Sequence, residues 1–158
     1  MARETPMPIL RILAIGMALL ASACSLLDDR VSAAIGKAVR AEQVREVRIA
    51  ALTDFEWDKL YLFGPYAPRA HICKTLGVEA GQCERVVPFE SVDDGTMSLA
   101  FVSGTQVVRY VRHSRLNGDF TASANRQPIL ASEAVFKVVP SGVTQDGRPW
   151  LKLVLNGV

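Results

Sequence analysis

Apolar positions recur along this chain at three spacings, and each spacing predicts a different element. Ile12 to Ala23 runs without a charge behind Arg3 and Arg11, the basic start and short apolar stretch of a secretory leader. Carried on to Leu27, the run takes in Ser22 and Ser25 and stays short of the roughly 20 apolar residues that a span of ~30 Å requires. A cleaved leader over residues 1–23 is therefore expected, followed by a short tether over 24–30 and one domain over 31–158. From Asp29 to Gln43 the spacing turns helical, with Val31, Ala34, Ile35, Ala38 and Val39 on one side. Asp28 and Asp29 suit the start of such a helix and Gly36 lowers its propensity.

Alternation then takes over. Val47 and Ile49 suggest a brief strand, and Glu56 to Phe63 a longer one with Trp57, Lys59, Tyr61 and Phe63 on one face and Asp58, Leu60 and Leu62 on the other. Apolar groups on both faces place that strand inside a sheet. Gly64-Pro65 ends it, and Pro68 followed by Arg69 to Leu76 predicts a short helix closed by Gly77. Met97 to Val102 and Thr105 to His113, joined around Ser103-Gly104, predict a hairpin. Asn117-Gly118 marks a turn, Gly118 to Leu130 reads as a polar loop, and Ala134 to Val139 with Trp150 to Leu155 form a last strand pair. The expected fold is α+β, a small single domain with an antiparallel sheet of about six strands and two helices.

Charge narrows the partners. Removing residues 1–23 takes Arg3, Arg11 and Glu4 from the 18 basic and 16 acidic side chains, and a net charge of +1 leaves no basic stripe for nucleic acid. Arg109, Arg112 and Arg115 with His113 form a modest basic cluster that alternation splits between faces, which reads first as an ordinary solvated strand and second as a candidate for anionic polymer or lipid headgroups.

The residues Ala21-Ser22-Ala23 before Cys24 resemble the lipobox of bacterial lipoproteins, with Ala21 where Leu is usual and Leu20 one place earlier. The resemblance implies a lipid anchor on Cys24, palmitate among its acyl chains. Ser25 at the next position implies the outer membrane, facing the periplasm. The same triplet also satisfies ordinary secretion, which would leave a free thiol. With Cys24 assigned to lipid, Cys73 and Cys83 remain as an even pair in an oxidising compartment, and Gly77 and Gly81 between them allow the chain to turn back into a disulfide. Two buried free thiols, or a metal site joined by His71, are the alternatives; the spacing fits no common zinc module.

The segment Thr53 to Tyr66 is similar to one found in a family of small, uncharacterised bacterial envelope lipoproteins, which share Phe-x-Trp-Asp, an alternating strand with Tyr and Phe, and Pro-Tyr opening a helix that ends Leu-Gly. The resemblance implies an address and a fold but no reaction. Physically, Trp57, Tyr61, Phe63 and Tyr66 are either core residues, with Asp58 holding the strand-to-helix turn, or an exposed patch of Trp57, Asp58, Tyr61 and Tyr66 for an envelope protein or a glycan.

Catalytic signals are sparse. No Gly-x-Ser-x-Gly elbow occurs, and the only histidines are His71 and His113. Asp54, Glu56 and Asp58 would align on one face of a strand, but calcium loops need a Gly-bearing turn and more ligands. No cofactor or metal is implied. The expectation is a non-enzymatic envelope lipoprotein whose domain binds another envelope component through its aromatic strand or a sheet edge. The alternatives are a small hydrolase using His71 or His113, and an inhibitor or immunity-type module with an exposed apolar patch.

Overall fold

The computed structural model describes residues 23–125 and 127–157, with side chains from Arg30 onward, so the leader and the Cys24 side chain lie outside the described residues. The first helix, α1, spans Ala23–Val39. It begins earlier than the pattern predicts, so residues 24–30, expected as a tether, are helical in backbone. Val31, Ile35 and Val39 recur every fourth residue and are all buried, which fixes the helix on the core by one stripe. Gly36, poor for helix propensity, leaves the space that the Asn117 side chain fills.

Seven strands follow, in two antiparallel sheets rather than the single sheet of about six that alternation suggested. One sheet has the order β1-β6-β7, from Glu46–Arg48, Val135–Val143 and Pro149–Leu155. The other has the order β4-β3-β2-β5, from Gln106–Ser114, Thr96–Ser103, Lys59–Phe63 and Ile129–Leu130. The main core lies between the sheets and α1, where Leu60, Leu62, Met97, Leu99 and Phe101 meet Phe120, Phe136 and Leu153. A second core covers the other face of the four-stranded sheet. There Phe63, Ala100 and Tyr110 pack beneath α2 (Arg69–Leu76) and the one-turn α3 (Cys83–Val86), with Ile72, Cys73 and Val87. The central strand β3, paired on both edges and packed on both faces, is buried from Met97 to Val102.

The segment expected as a polar loop holds two anchors of the main core. Phe120 is fully buried against Phe136, with ring centroids 4.9 Å apart. Ser123 is buried beside β7, donating to the Leu153 carbonyl and accepting from the Leu155 amide at 3.1 and 3.0 Å. Gly118 makes this return possible: its φ is +119°, and a Cβ there would sit 2.6 Å from Leu153 Cδ1.

Candidate functional site

The strand expected over Glu56 to Phe63 is shorter at its start, and Glu56 to Asp58 stay outside it. Ile49–Leu52 forms a 3₁₀ turn, and regular pairing starts only at Lys59. This break sends Trp57 to the opposite side of the sheet from Tyr61 and Phe63. Trp57 is buried in the main core, its ring edge-on to Phe101 at 5.1 Å and its indole N–H donated to Thr53 Oγ1 at 3.0 Å. Tyr61 and Phe63 lie stacked on the α2 side, centroids 6.4 Å apart. Tyr66 stands 58% exposed in a left-handed backbone, φ 62°, its amide held by the Ser91 carbonyl at 2.8 Å. The candidate surface of Trp57, Asp58, Tyr61 and Tyr66 is thus not one patch. Its aromatics divide between two cores and the solvent, and Tyr66 does not pack its ring as its motif position suggested.

Asp58 works at a different place from the one expected. Its Oδ2 accepts the Gly104 amide at 2.8 Å, and Lys59 Nζ donates to the Gly104 carbonyl at 2.9 Å, so the pair closes the β3–β4 hairpin turn rather than the strand-to-helix turn. Asp54, Glu56 and Asp58 lack the strand geometry that would align them, and among the described residues no group of three His, Cys, Asp or Glu side chains is placed to hold a metal.

Two shallow grooves flank this segment and share Thr53 and Phe55. One, of about 390 Å³, is bounded by Arg30, Ala34, Leu52, Asp54 and Arg109; the other, of about 440 Å³, by Glu56, Trp57, Asp58 and Ser103. Phe55 separates them, standing edge-on to Phe101 at 5.3 Å with the Arg109 guanidinium 5.2 Å from its ring centre. The basic cluster read from the sequence is dispersed by the same kind of contact. Arg112 covers Phe89 at 4.4 Å on the other side of the sheet, and Arg115 turns to Asp119. Arg30, on α1, borders the same groove as Arg109 instead, a placement that no sequence spacing could signal because the two residues come from elements far apart in the chain.

His113 is wholly enclosed. Its Nε2 donates to the Gly118 carbonyl at 2.7 Å, and its Nδ1 accepts the Ser32 hydroxyl at 3.0 Å. The tautomer follows from Ser32: its oxygen already accepts from the Ser114 amide at 3.2 Å and Asn117 Nδ2 at 3.0 Å, so its hydrogen goes to the ring. Burial pushes the His113 pKa down to about 4, against smaller opposing effects of the Gly118 carbonyl and the Asp119 charge. A general base needs an open cleft and a free nitrogen, and His113 has neither. Nearby, Asp119 is buried under a two-pronged pair with Arg115, at 3.2 and 3.0 Å, and accepts the Trp150 indole at 3.1 Å. Burial alone would raise its carboxyl, but hydrogen bonds from Arg115 and Thr121 reverse the effect and hold it below the usual carboxylate range. His71 is exposed on α2, beside neither a carboxylate nor a free thiol among the described residues. Cys73 and Cys83 are bonded to each other, with Cα atoms 5.8 Å apart, which removes both as thiolate ligands.

Sheet edges are closed to strand addition at several points. Asp119 pairs with the outer edge of β7 through Leu151 and Leu153, and Ser123 through Leu155. The outward positions next in line are Pro149 on β7 and, beyond the Arg45 contact to Val138, Pro140 on β6, neither of which has an N–H to offer. No family model, curated protein or solved structure matches this chain.

Proposed function

We propose that this chain is an envelope lipoprotein, anchored through acyl chains on Cys24 at the periplasmic side of the outer membrane, whose α+β domain binds another envelope component and catalyses no reaction. The observation that carries the reading is the cysteine pairing. Because Cys73 and Cys83 are consumed by one disulfide, Cys24 is the third and remaining cysteine, directly behind Ala21-Ser22-Ala23. A disulfide also suits an exported domain, and the similarity of Thr53 to Tyr66 to small envelope lipoproteins supports the same address. The enclosure of His113 supports a binding role over hydrolysis, and the grooves around Phe55 are the surface that binding would use.

Labelling growing cells with a palmitate analogue, together with intact mass and detergent partitioning of the natural protein, tests the anchor. Label on the native chain, absent from the Cys24→Ala variant, is expected. A mature protein that begins at Cys24 with an unmodified thiol and stays in the aqueous phase would overturn the reading.

A second reading, an inhibitor-type module, draws on the β6–β7 arm. Val143 is 73% exposed at its tip, and Leu116, Arg148 and Trp150 border a groove of about 560 Å³ beside it. Charge introduced there by Val143→Asp would abolish binding of an inhibited partner while leaving membrane partitioning unchanged.

A further inference from the structure

We propose that the groove bounded by Arg30 and Arg109 binds the phosphate of a phospholipid headgroup, with Ala34, Leu52 and Phe55 against the first carbons of the lipid. Its placement at the membrane rests on the anchoring of Cys24 argued above; the groove itself rests on geometry alone.

Arg109 is presented rather than consumed. Its guanidinium lies over the Phe55 ring, which Phe101 braces, 5.2 Å from the centroid, and its one hydrogen bond among the described residues goes to the neighbouring Val108 carbonyl at 3.4 Å. Among the described residues neither Arg30 nor Arg109 forms an ion pair, whereas Arg69, Arg115 and Arg148 each meet a carboxylate. Asp54 borders the same groove without pairing with either guanidinium. Asp28 and Asp29 stand two and one positions before Arg30, spacings that send side chains to other faces of a helix. Ala34, by contrast, is one turn on from Arg30 and lines the groove with it. Two guanidiniums above an apolar wall suit a phosphate joined to hydrocarbon better than a free anion, which has no use for the wall.

The depth is right as well. The α1 backbone is continuous from Ala23, so Arg30 lies six residues along one helix from Cys24. At ~1.5 Å per residue that is about 9 Å, close to the ~5 to 8 Å thickness of one headgroup layer. A lipid on Cys24 would therefore bring this groove to the level of neighbouring headgroups, and the charges of the groove would hold the domain against the surface.

The test uses the lipid-free mature chain carrying Cys24→Ser, sedimented with vesicles of phosphatidylglycerol and phosphatidylcholine, so that its result does not depend on whether Cys24 is acylated. Binding to these vesicles is expected. It should weaken roughly fivefold for each of Arg30→Gln and Arg109→Gln, about thirtyfold for the pair, and be unaffected by Arg112→Gln, which alters a guanidinium on the other side of the sheet. Arg109→Lys, which keeps the charge, guards against misfolding of the Gln variant, and urea midpoints verify that each variant is folded. No vesicle binding by the parent, unchanged binding by the double variant, or equal loss in Arg112→Gln would overturn the proposal. Displacement by millimolar inorganic phosphate would assign the groove to a free anion and overturn the lipid. Failure of palmitate labelling with vesicle binding intact would sink the anchor and leave the groove.

Discussion

Acidification from pH 7 to pH 5 is expected to cost this protein about 2 kcal/mol of folding stability, with His113 responsible. The ring is fully buried and neutral, its pKa lowered to about 4 where an unfolded histidine has 6.5. Between those values the unfolded chain binds a proton that the native chain refuses, so stability rises with pH and is lost as pH falls below 6.5. Over the whole window the loss reaches about 3 kcal/mol, at ~1.4 kcal/mol for each pH unit, and about 2 kcal/mol of it falls between pH 7 and pH 5. The structural cause is specific. A proton on Nδ1 would face Ser32, whose oxygen already accepts two hydrogen bonds and whose own hydrogen points at the ring. The Asp119 carboxylate acts in a different range: its pKa is held below the usual value, so its contribution is present above that value and is lost as pH falls through its folded-state pKa. Urea titrations of the parent and of His113→Gln at the two pH values measure the effect. The parent should lose about 2 kcal/mol and the variant well under half of that. A parent whose stability changes by less than about 0.5 kcal/mol, or a variant with the same loss, would refute the reasoning.

Two further substitutions separate roles that the shared motif blurs. Trp57→Ala should cost about 3 to 5 kcal/mol, because it empties a core site against Phe101. Tyr66→Gly should be neutral or stabilising by up to about 1 kcal/mol, since it frees a left-handed position whose ring is exposed; urea midpoints of both variants decide. Replacing Cys73 and Cys83 together by Ser should lower stability by about 2 to 3 kcal/mol, from the loop entropy that the disulfide denies the unfolded chain. Dithiothreitol should produce the same loss in the parent and none in the variant.

Local rules were sufficient wherever an element owed its limits to its own residues. The helix Arg69–Leu76 starts after Pro68 and stops at Gly77, whose φ of 67° takes the left-handed cap, and the β3–β4 hairpin turns at Gly104, φ 60°. They misled where a contact from elsewhere overruled the pattern. Trp57 alternates correctly with Tyr61 and Phe63 in sequence, yet the Asp58 amide bonds the Val102 carbonyl and the chain before it leaves strand geometry, so the indole drops into the opposite core. Phe120 and Ser123 looked like parts of a polar loop because Asn, Ser and Gln surround them; the apolar ring against Phe136 of β6 and one hydroxyl on Leu153 of β7 were enough to bind that loop to the sheet.

The sequence by itself determined the α+β class and pointed to the pairing of Cys73 with Cys83, both of which depend on composition, spacing or local turn chemistry. Only the tertiary structure decided that the strands divide between two sheets, that the motif aromatics part company, that His113 is sealed, and that Arg30 and Arg109 border one groove beside Phe55. These outcomes depend on which distant surfaces exclude water together, and a one-dimensional pattern records that a residue is apolar or charged without recording what it will face.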